Sequence, residues 1–513
     1  MNGAEALLGS LAASGIEICF MNPGTTEIHL VEALDRVARL RGVGCLFEGV
    51  ASGAADGYAR MTGKPASTLF HLGPGLSNAL ANLHNACRAR VAMVNIVGDH
   101  ATFHRPFDPP LAADIEAIAR PYSQWLKTSR IAGTVGLEGA EAVAAARAAP
   151  GRIATLIVPS DVAWGDGGTI AAAVPALVPA VPAPSRIEEA ARLLRDGAQT
   201  AILLGSHTTQ GRALVAAGRI AAATGARLLA PFAFAGMERG AGRPNVERVP
   251  YITDQALALL AEFRQLILVG AAEPVAFFGH PSRPSRLMAE GCRIIELATP
   301  EEDCAGALAA LVDALDASRT APQLQRAGLL HLPQGQITLE GIARAVAAVI
   351  PENGIVVDES ITSGRGMMAA TRGAAPHDYL VNTGGSIGIG VPLAVGAAIA
   401  APDRPVLCLE GDGSFMYTLQ ALWTAARENL AITTVIFSNR TYQILKTELA
   451  ALGTNPGPRA EAALDIAPPA IDIVPLSKSL GVPAVRVTNL EEFAAAMRRG
   501  LASRAPNLIE VPV

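Results

Sequence analysis

Two polar side chains in the last third of the sequence are spaced so that they could bind one metal ion. Asp412 lies in the run GDGS after the apolar segment PVLCLE, and Asn439 follows the next apolar segment, ITTVIFS. Their separation of 27 residues (439 minus 412) fits one crossover helix plus one strand, which places both at the carboxyl ends of neighbouring parallel strands. A carboxylate, an amide oxygen and a nearby backbone carbonyl are hard ligands of the kind that hold magnesium.

The glycines beside Asp412 suit a phosphate-binding loop. Gly411 and Gly413 have no side chain to keep the backbone away from a diphosphate, and a helix after Ser414 would offer free N–H groups to the same anion. A GDG run by itself is equally compatible with a simple strand-to-helix turn. Its pairing with Asn439 favours the metal and phosphate site.

GDGS followed at this spacing by NRTY resembles the thiamine diphosphate motif of the enzyme superfamily that includes acetolactate synthase, benzoylformate decarboxylase and pyruvate decarboxylase. The resemblance covers essentially the whole chain and implies thiamine diphosphate and Mg²⁺ as cofactors. It implies that Asp412, Asn439 and the carbonyl of Thr441 bind the metal. The residues implied near the diphosphate are Thr362, Ser363, Gly411, Gly413, Ser414 and Tyr442.

A block in the first third of the chain, LFEGVASGAADGYARMTGKPA, resembles the E-x-x-A-x-x-x-A-x-GYAR block of the same superfamily. The resemblance implies that Glu48 binds a ring nitrogen of the aminopyrimidine, which prepares the cofactor to lose its thiazolium proton. An acid favoured by the dipole of a helix N-terminus is the alternative for Glu48. In GGSIGIGVP, Ile387 is implied as the bulky side chain beneath the two cofactor rings, and plain core packing is compatible with that role.

Three residues bear on the reaction. Thr25 stands where benzoylformate decarboxylase has a hydroxyl residue and acetolactate synthases generally have glycine. His71 and His280 resemble the two histidines of that decarboxylase, and imidazoles can relay protons near neutral pH. Each histidine could also be a structural hydrogen-bonding residue. The resemblance implies decarboxylation of a 2-oxo acid, with carboligation to an aldehyde as a further reaction.

Two other functions remain open. GPGLSNALANLHNACRARVAMVNIVGD resembles acetolactate synthases, so a transferase that forms a 2-hydroxyketone or an acetohydroxy acid is one alternative, and a non-catalytic cofactor-binding regulatory subunit is another. Ile444 and Glu448 lie four residues apart on the helix predicted after NRTY, and by resemblance they line the acyl pocket. A carboxylate there suits a phenyl ring poorly. A small or polar 2-oxo acid is therefore as compatible as an aromatic one.

The elements that position these residues form three predicted α/β domains. Short β-branched runs alternate with alanine-rich runs of helical period, which is typical of doubly wound parallel sheets. A proline-rich segment and a polar, turn-rich segment divide the chain. The predicted domains are a pyrimidine-binding domain at 1–165, a central domain at 186–317 and a diphosphate-binding domain at 334–513.

Composition limits the partners. The 513 residues carry a formal net charge of -5 and no basic run, which argues against nucleic acid as a partner. The sequence predicts neither a signal peptide nor a membrane span, so we expect a cytoplasmic protein acting on a small 2-oxo acid. Glu48 and Asp412 belong to different predicted domains, and the family resemblance implies a cofactor bound between two chains. We expect a homodimer at minimum and a homotetramer as the larger assembly.

Overall fold

A computed structural model describes residues 1–454 and 456–513 and shows three parallel-dominated α/β sheets, as the sequence predicts. The N-terminal unit contains β1 (Ile18–Asn22), β2 (Arg41–Gly44), β3 (Ala66–Phe70), β4 (Met93–Asp99), β5 (Trp125–Thr128) and β6 (Ile153–Pro159), with α1 (Gly3–Ala13), α2 (Ile28–Ala33), α3 (Glu48–Thr62), α4 (Leu72–Ala89), α5 (Ile115–Ala119), α6 (Ala132–Arg147) and α7 (Ser160–Trp164). Its six strands are all parallel, in the order β2-β1-β3-β4-β6-β5. Strands β3, β4 and β6 are buried along their whole length, as expected of a sheet covered by helices on both faces.

The central unit is smaller. It contains β7 (Thr200–Leu204), β8 (Arg227–Ala230), β9 (Met237–Arg239), β10 (Glu247–Arg248), β11 (Gln265–Val269) and β12 (Arg293–Ala298), with α8 (Pro184–Arg195), α9 (Gly211–Thr224), α10 (Thr253–Leu260) and α11 (Cys304–Ala314). Five of these strands form a parallel sheet in the order β10-β8-β7-β11-β12. The sixth, β9, leaves this sheet for the next unit.

The C-terminal unit carries the largest sheet. It contains β13 (Gly354–Glu359), β14 (His377–Val381), β15 (Val406–Gly411), β16 (Ile432–Ser438), β17 (Ala484–Arg486) and β18 (Asn507–Pro512), with α12 (Leu339–Val349), α13 (Met367–Ala370), α14 (Gly390–Ala400), α15 (Asp412–Thr418), α16 (Ala421–Arg427), α17 (Gln443–Ala451), α18 (Pro458–Leu464), α19 (Ile473–Ser479) and α20 (Leu490–Ser503). The order is β17-β18-β16-β15-β13-β14-β9, and only β9 runs antiparallel to its neighbour. The predicted central domain therefore lends a strand to the third sheet.

Helices α3 and α14 join the first and third units backbone to backbone. A Cβ atom added to Gly57 would lie 2.1 Å from the carbonyl oxygen of Leu393, and one added to Gly396 would lie 1.9 Å from that of Ala54. Such close approach requires glycine on both helices. Because both helices begin at the same end of this contact, Glu48 at the start of α3 lies beside the loop that precedes α14.

No helix in the described part of the chain combines the length and the apolar character needed to cross a bilayer.

Candidate functional site

Asp412 and Asn439 lie at the carboxyl ends of β15 and β16, which are parallel neighbours. The Arg440 amide donates to Asp412 Oδ2 at 2.7 Å, and the Gly413 amide donates to Asp412 Oδ1 at 2.9 Å. Asn439 Oδ1 accepts from the Thr441 amide at 3.1 Å. Arg440 has a φ of 58°, which curls the loop around Asp412. The structure thus brings together the two side chains that the 27-residue spacing paired.

This donor set fits a magnesium ion that arrives with an anion. One carboxylate, one amide oxygen and the Thr441 carbonyl are oxygen donors, and that carbonyl accepts no hydrogen bond within the part of the chain that the structure describes. Over residues 1–454 and 456–513, no three His, Cys, Asp or Glu side chains converge as a metal site. A single carboxylate leaves most of the charge of a divalent cation uncompensated, so phosphate oxygens and water would supply the other ligands.

Three buried residues carry free hydroxyls near this loop. Thr362 and Ser363 follow β13, which pairs with β15, and Ser414 lies in α15. Within the described residues, none of the three hydroxyls has a hydrogen-bond partner, and none is sealed from solvent. Unpaired polar groups at a solvent-accessible loop suit an anionic ligand such as phosphate.

Two glycines and an aromatic ring complete the predicted diphosphate loop. A Cβ atom on Gly413 would lie 2.7 Å from Tyr442 Cε1, so the Tyr442 ring packs on the first turn of α15. A Cβ atom on Gly411 would make only ordinary van der Waals contacts, at 3.9 Å from the Glu359 carbonyl oxygen and from Ser414 Oγ. The helix begins at Asp412 itself, three residues earlier than the sequence predicts, which puts the acid in the first helical turn.

The loop that carries Ile387 is fastened by a buried carboxylate that sequence reasoning missed. Glu359 Oε2 accepts from the amides of Gly388 at 3.1 Å and Gly390 at 2.8 Å, and Oε1 accepts from Asn382 Nδ2 at 2.8 Å. Burial raises the pKa of Glu359. Ile387 itself is half-buried. An acid directly after an apolar strand is the only sequence signal that could have singled out Glu359.

Glu48 begins α3 and is buried, with 7% of its surface exposed. Its Oε2 accepts from Asn78 Nδ2 at 3.0 Å. A Cβ atom on Gly75 would lie 3.1 Å from Glu48 Oε1 and 3.3 Å from His71 Cβ, so Glu48 and His71 flank the same turn of α4. The structure therefore brings together two of the predicted catalytic residues.

His71 pairs with a carboxylate that sequence reasoning also missed. Its Nδ1 lies 2.8 Å from Oε2 of Glu27, whose side chain is fully buried. The same carboxylate accepts from the Gly24 amide at 2.8 Å and from the hydroxyl of Thr26. Thr26 also lies 3.2 Å from His71 Nδ1, whereas Thr25 is exposed. The hydroxyl next to His71 thus belongs to Thr26, one residue after the one predicted.

His280 does not contact His71 in the part of the chain that the structure describes. Its Nε2 lies 3.2 Å from the Ala451 carbonyl at the end of α17, and its Nδ1 accepts from the Ser282 amide at 3.2 Å. His280 thus ties a loop of the central unit to α17. The convergence of the two histidines stays a prediction.

The predicted acyl pocket lies where α17 faces the central unit. Tyr251 donates its hydroxyl to Glu448 Oε1 at 3.1 Å. Tyr251, Phe232 and Phe277 pack together with ring centroids 5.2 to 6.0 Å apart, and Phe277 reaches the loop before α14 at Gly385. Ile444 lies one turn before Glu448 on α17 and is half-buried. The three aromatic residues carry no motif that sequence reasoning could use.

Comparison with known proteins identifies the family. Residues 1–117 match the N-terminal TPP binding domain of thiamine pyrophosphate enzymes, and residues 363–511 match their C-terminal TPP binding domain. The chain belongs to the thiamine pyrophosphate enzyme family. The matched segments contain Glu48 in one case and Asp412 with Asn439 in the other.

Individual relatives of this thiamine pyrophosphate enzyme extend over nearly the full chain. A Mycobacterium tuberculosis protein named provisionally as acetolactate synthase large subunit IlvX is 51% identical, covering 100% of this chain and 99% of its own. Benzoylformate decarboxylase of Pseudomonas aeruginosa is 27% identical, covering 98% and 97%. The structure of a Rhodococcus jostii thiamine diphosphate-dependent 4-hydroxybenzoylformate decarboxylase matches with a TM-score of 0.84 at 24% identity, covering 100% and 99%. That last likeness supports the three-domain fold.

Proposed function

We propose that this enzyme decarboxylates a 2-oxo acid with thiamine diphosphate and Mg²⁺. The observation that carries the proposal is the side-by-side placement of Glu48 and the Glu27–His71 pair at the start of α4. Glu48 supplies a buried carboxylate for the aminopyrimidine, and His71 supplies a group that can pass a proton to the product. When bound, thiamine diphosphate supplies the thiazolium ring that stabilises the negative charge left by loss of carbon dioxide.

The diphosphate end is proposed to lie at α15. Asp412, Asn439 and the Thr441 carbonyl would hold the magnesium ion, and the free hydroxyls of Thr362 and Ser414 would bind phosphate oxygens, as would that of Ser363. Burial raises the pKa of Asp412, which disfavours its charged form until a cation arrives. Because one carboxylate leaves most of the charge of a divalent cation uncompensated, metal and diphosphate should bind together.

Glu27 is proposed to fix the proton of His71. A carboxylate accepts hydrogen bonds, so the proton of the neutral imidazole sits on Nδ1, which lies 2.8 Å from Glu27. Nε2 then takes up a proton from water and passes it to the reacting group, and the Glu27 carboxylate stabilises the positively charged ring in between. Thr26 is better placed than Thr25 to join this relay, because only its hydroxyl contacts both partners.

The side chain of the substrate is proposed to be small or polar. Glu448 and Tyr251 place a carboxylate and a phenol hydroxyl in the predicted acyl pocket, beside Ile444. Burying a phenyl ring against that carboxylate would cost the carboxylate its hydration. Short aliphatic or hydrogen-bonding 2-oxo acids avoid this cost.

A carboligase is the second candidate, and the name of the 51% identical relative favours it. The two reactions differ after carbon dioxide leaves: protonation gives an aldehyde, whereas attack on a second carbonyl gives a hydroxyketone or an acetohydroxy acid. A regulatory subunit without activity is less favoured, because Glu48, Asp412 and Asn439 are all in place.

Product analysis tests the proposal. Pyruvate, a longer aliphatic 2-oxo acid and benzoylformate are each incubated with the protein, thiamine diphosphate and Mg²⁺, and the products are followed by proton NMR. We expect aldehyde from an aliphatic 2-oxo acid, and the Asp412→Ala variant as the matched control should give none. Hydroxyketone as the main product would favour the carboligase, and no product from any 2-oxo acid would reject both reactions.

The functional unit is proposed to be a cytoplasmic homodimer or a pair of such dimers. The family resemblance carries this proposal, because Glu48 and Asp412 belong to different units of the chain. In that assembly the pyrimidine would bind to Glu48 of one chain and the diphosphate to Asp412 of the other.

A further inference from the structure

Arg60, in the last turn of α3, has a side chain only 1% exposed. It pairs with Asp56 one turn earlier, with Nε donating to Oδ1 at 2.7 Å and a terminal nitrogen donating to Oδ2 at 2.6 Å. Asp56 is fully buried. A buried ion pair is costly to desolvate and adds little stability by itself. The further contacts of Arg60 therefore matter more than the pair.

The other donors of Arg60 reach both remaining units of the molecule. One terminal nitrogen donates to the carbonyls of Ala235, at 3.0 Å, and Val381, at 2.7 Å. The other donates to the Thr383 hydroxyl at 3.2 Å. All five N–H donors of the guanidinium therefore have an acceptor. A single side chain of the first unit fastens the central unit just before β9 and the third unit at the end of β14.

The fastened segment leads straight into the loop that carries Ile387. Val381 ends β14, and Thr383 is followed by the stretch 384–388. From α4 of the same unit, Asn85 donates to the Ser386 carbonyl at 2.8 Å and accepts from the Ser386 amide at 3.2 Å. The Thr383 hydroxyl in turn donates to the Asn85 carbonyl at 2.7 Å. The first unit thus contacts this loop both where it begins, at Thr383, and near Ile387, at Ser386.

We propose that Arg60 is a positioning residue for the cofactor, acting through the loop that carries Ile387. The inference rests on the proposed function, in which that loop supports the cofactor rings while Asp412 and Asn439 hold the diphosphate. Arginine is required because a planar fork reaches five acceptors at once, whereas a lysine ammonium has three donors at a single point. Loss of the Arg60 guanidinium should release the loop that carries Ile387 and leave Asp412 and Asn439 in place.

Two ligands distinguish an effect at the ring end of the cofactor site from an effect at the diphosphate end. Calorimetry measures the affinity of the full chain for thiamine diphosphate and for inorganic pyrophosphate, each with Mg²⁺. For Arg60→Lys we expect the affinity for thiamine diphosphate to fall about tenfold or more, because hydrogen bonds to a charged group are lost, while the affinity for pyrophosphate is unchanged. If Arg60 had a purely structural role, the affinities for both ligands would fall by the same factor.

Arg404→Lys is the matched control. Arg404 is a half-buried arginine of the third unit that pairs with Asp378 and donates to the carbonyls of Asn353, at 2.6 Å, and Gly354, at 3.3 Å. These acceptors lie at the opposite edge of the sheet, where β13 and β14 begin. Arg404→Lys should therefore lower stability without changing the ratio of the two affinities.

A gentler variant covers the case in which Arg60→Lys does not fold. Thr383→Val removes one acceptor of Arg60 and one hydrogen bond to Asn85. It should lower the affinity for thiamine diphosphate but not for pyrophosphate, and by less than Arg60→Lys does. Equal loss of both ligands, or no loss of either, in the folded variants would overturn the role of Arg60. Failure of wild type to bind either ligand would instead overturn the proposed function.

Discussion

At the scale of single residues, the arrangement around His71 depends on glycine at two positions. A Cβ atom on Gly24 would lie 2.3 Å from His71 Nδ1, and one on Gly98 would lie 1.7 Å from Glu27 Oε1. Glycine at these positions leaves room for an imidazole and a carboxylate to meet inside the protein. Within the described residues, the fully buried Glu27 carboxyl group contacts three polar partners, which are the Gly24 amide, Thr26 and His71.

Replacing Glu27 by glutamine tests the proton relay at this scale. Glu27→Gln keeps the shape but replaces the carboxylate by a neutral amide, which cannot stabilise a positively charged His71 during proton transfer, so kcat should fall about a hundredfold. Cofactor affinity should not change, because Glu48 is untouched. Steady-state kinetics and calorimetry on the same preparations measure both quantities.

Two hydroxyl variants distinguish Thr25, which the sequence predicts to act with His71, from Thr26, whose hydroxyl contacts His71. Thr26→Val should lower kcat, because Thr26 contacts Glu27 and His71, and Thr25→Val should leave kcat near that of wild type. The opposite ranking would favour Thr25, as the sequence predicts, and would contradict the geometry of the relay.

At the scale of elements, β14 is the junction between the central and C-terminal units. Its residue His377 lies opposite Arg239 of β9 and is 4% exposed. His377 Nδ1 donates to the Ala375 carbonyl at 2.7 Å, and Nε2 is buried without a partner in the described residues. Burial, with Arg239 as a further cause, lowers the pKa of His377 to about 4 from its usual 6.5.

This shift predicts a loss of stability in acid. Between pH 6.5 and about 4, His377 is protonated in the unfolded chain but neutral in the folded protein. The free energy of unfolding therefore falls as pH falls through this range. The contribution of His377 is about 3 kcal/mol at most. His377→Gln should remove it, so that the variant gains stability relative to wild type between pH 7 and pH 4 in urea unfolding. The exposed His331→Gln is the control, and parallel pH profiles for all three proteins would contradict the assignment.

How far the sequence predicts these elements depends on how local their causes are. The β-branched runs that became β4, β15 and β16 and the spacing of Asp412 from Asn439 are local patterns, and the structure agrees with them. The helix predicted as one run after Ser414 is two helices, α15 and α16, and it begins at Asp412. Strand β9 was not predicted, because three residues gain strand form only from pairing with β14.

The candidate site divides in the same way. Glu48 and Asp412 stand in motifs that can be read along the chain, whereas Glu27 and Tyr251 carry no motif. Their roles come from contacts with His71 and Glu448, which are 44 and 197 residues away in sequence. Such pairings depend on how the elements pack, which composition and periodicity do not record.

At the scale of the whole molecule, Glu48 and the Ile387 loop of one chain approach each other at α4. Asn82 of that helix donates to the carbonyls of Gly49, at 2.8 Å, and Gly388, at 3.5 Å. The proposal that each cofactor is shared between two chains therefore rests on the family resemblance and needs a test of its own.

Complementation tests the shared site. Differently tagged Glu48→Gln and Asp412→Ala chains are each inactive alone, but a purified heterodimer combines one intact Glu48 with one intact Asp412 across the interface. It should show about half the wild-type rate per dimer, because one of its two sites is complete. An inactive heterodimer of correct mass would place the whole site within one chain.

The most direct measurement of the central claim needs no substrate. Proton NMR follows exchange of the thiazolium carbon proton of thiamine diphosphate with deuterium in the presence of protein and Mg²⁺. The account predicts that wild type accelerates this exchange, and that Glu48→Gln binds the cofactor with similar affinity but leaves exchange close to the rate of the free cofactor. Equal acceleration by wild type and Glu48→Gln would contradict the assignment of Glu48 as the carboxylate that activates the cofactor.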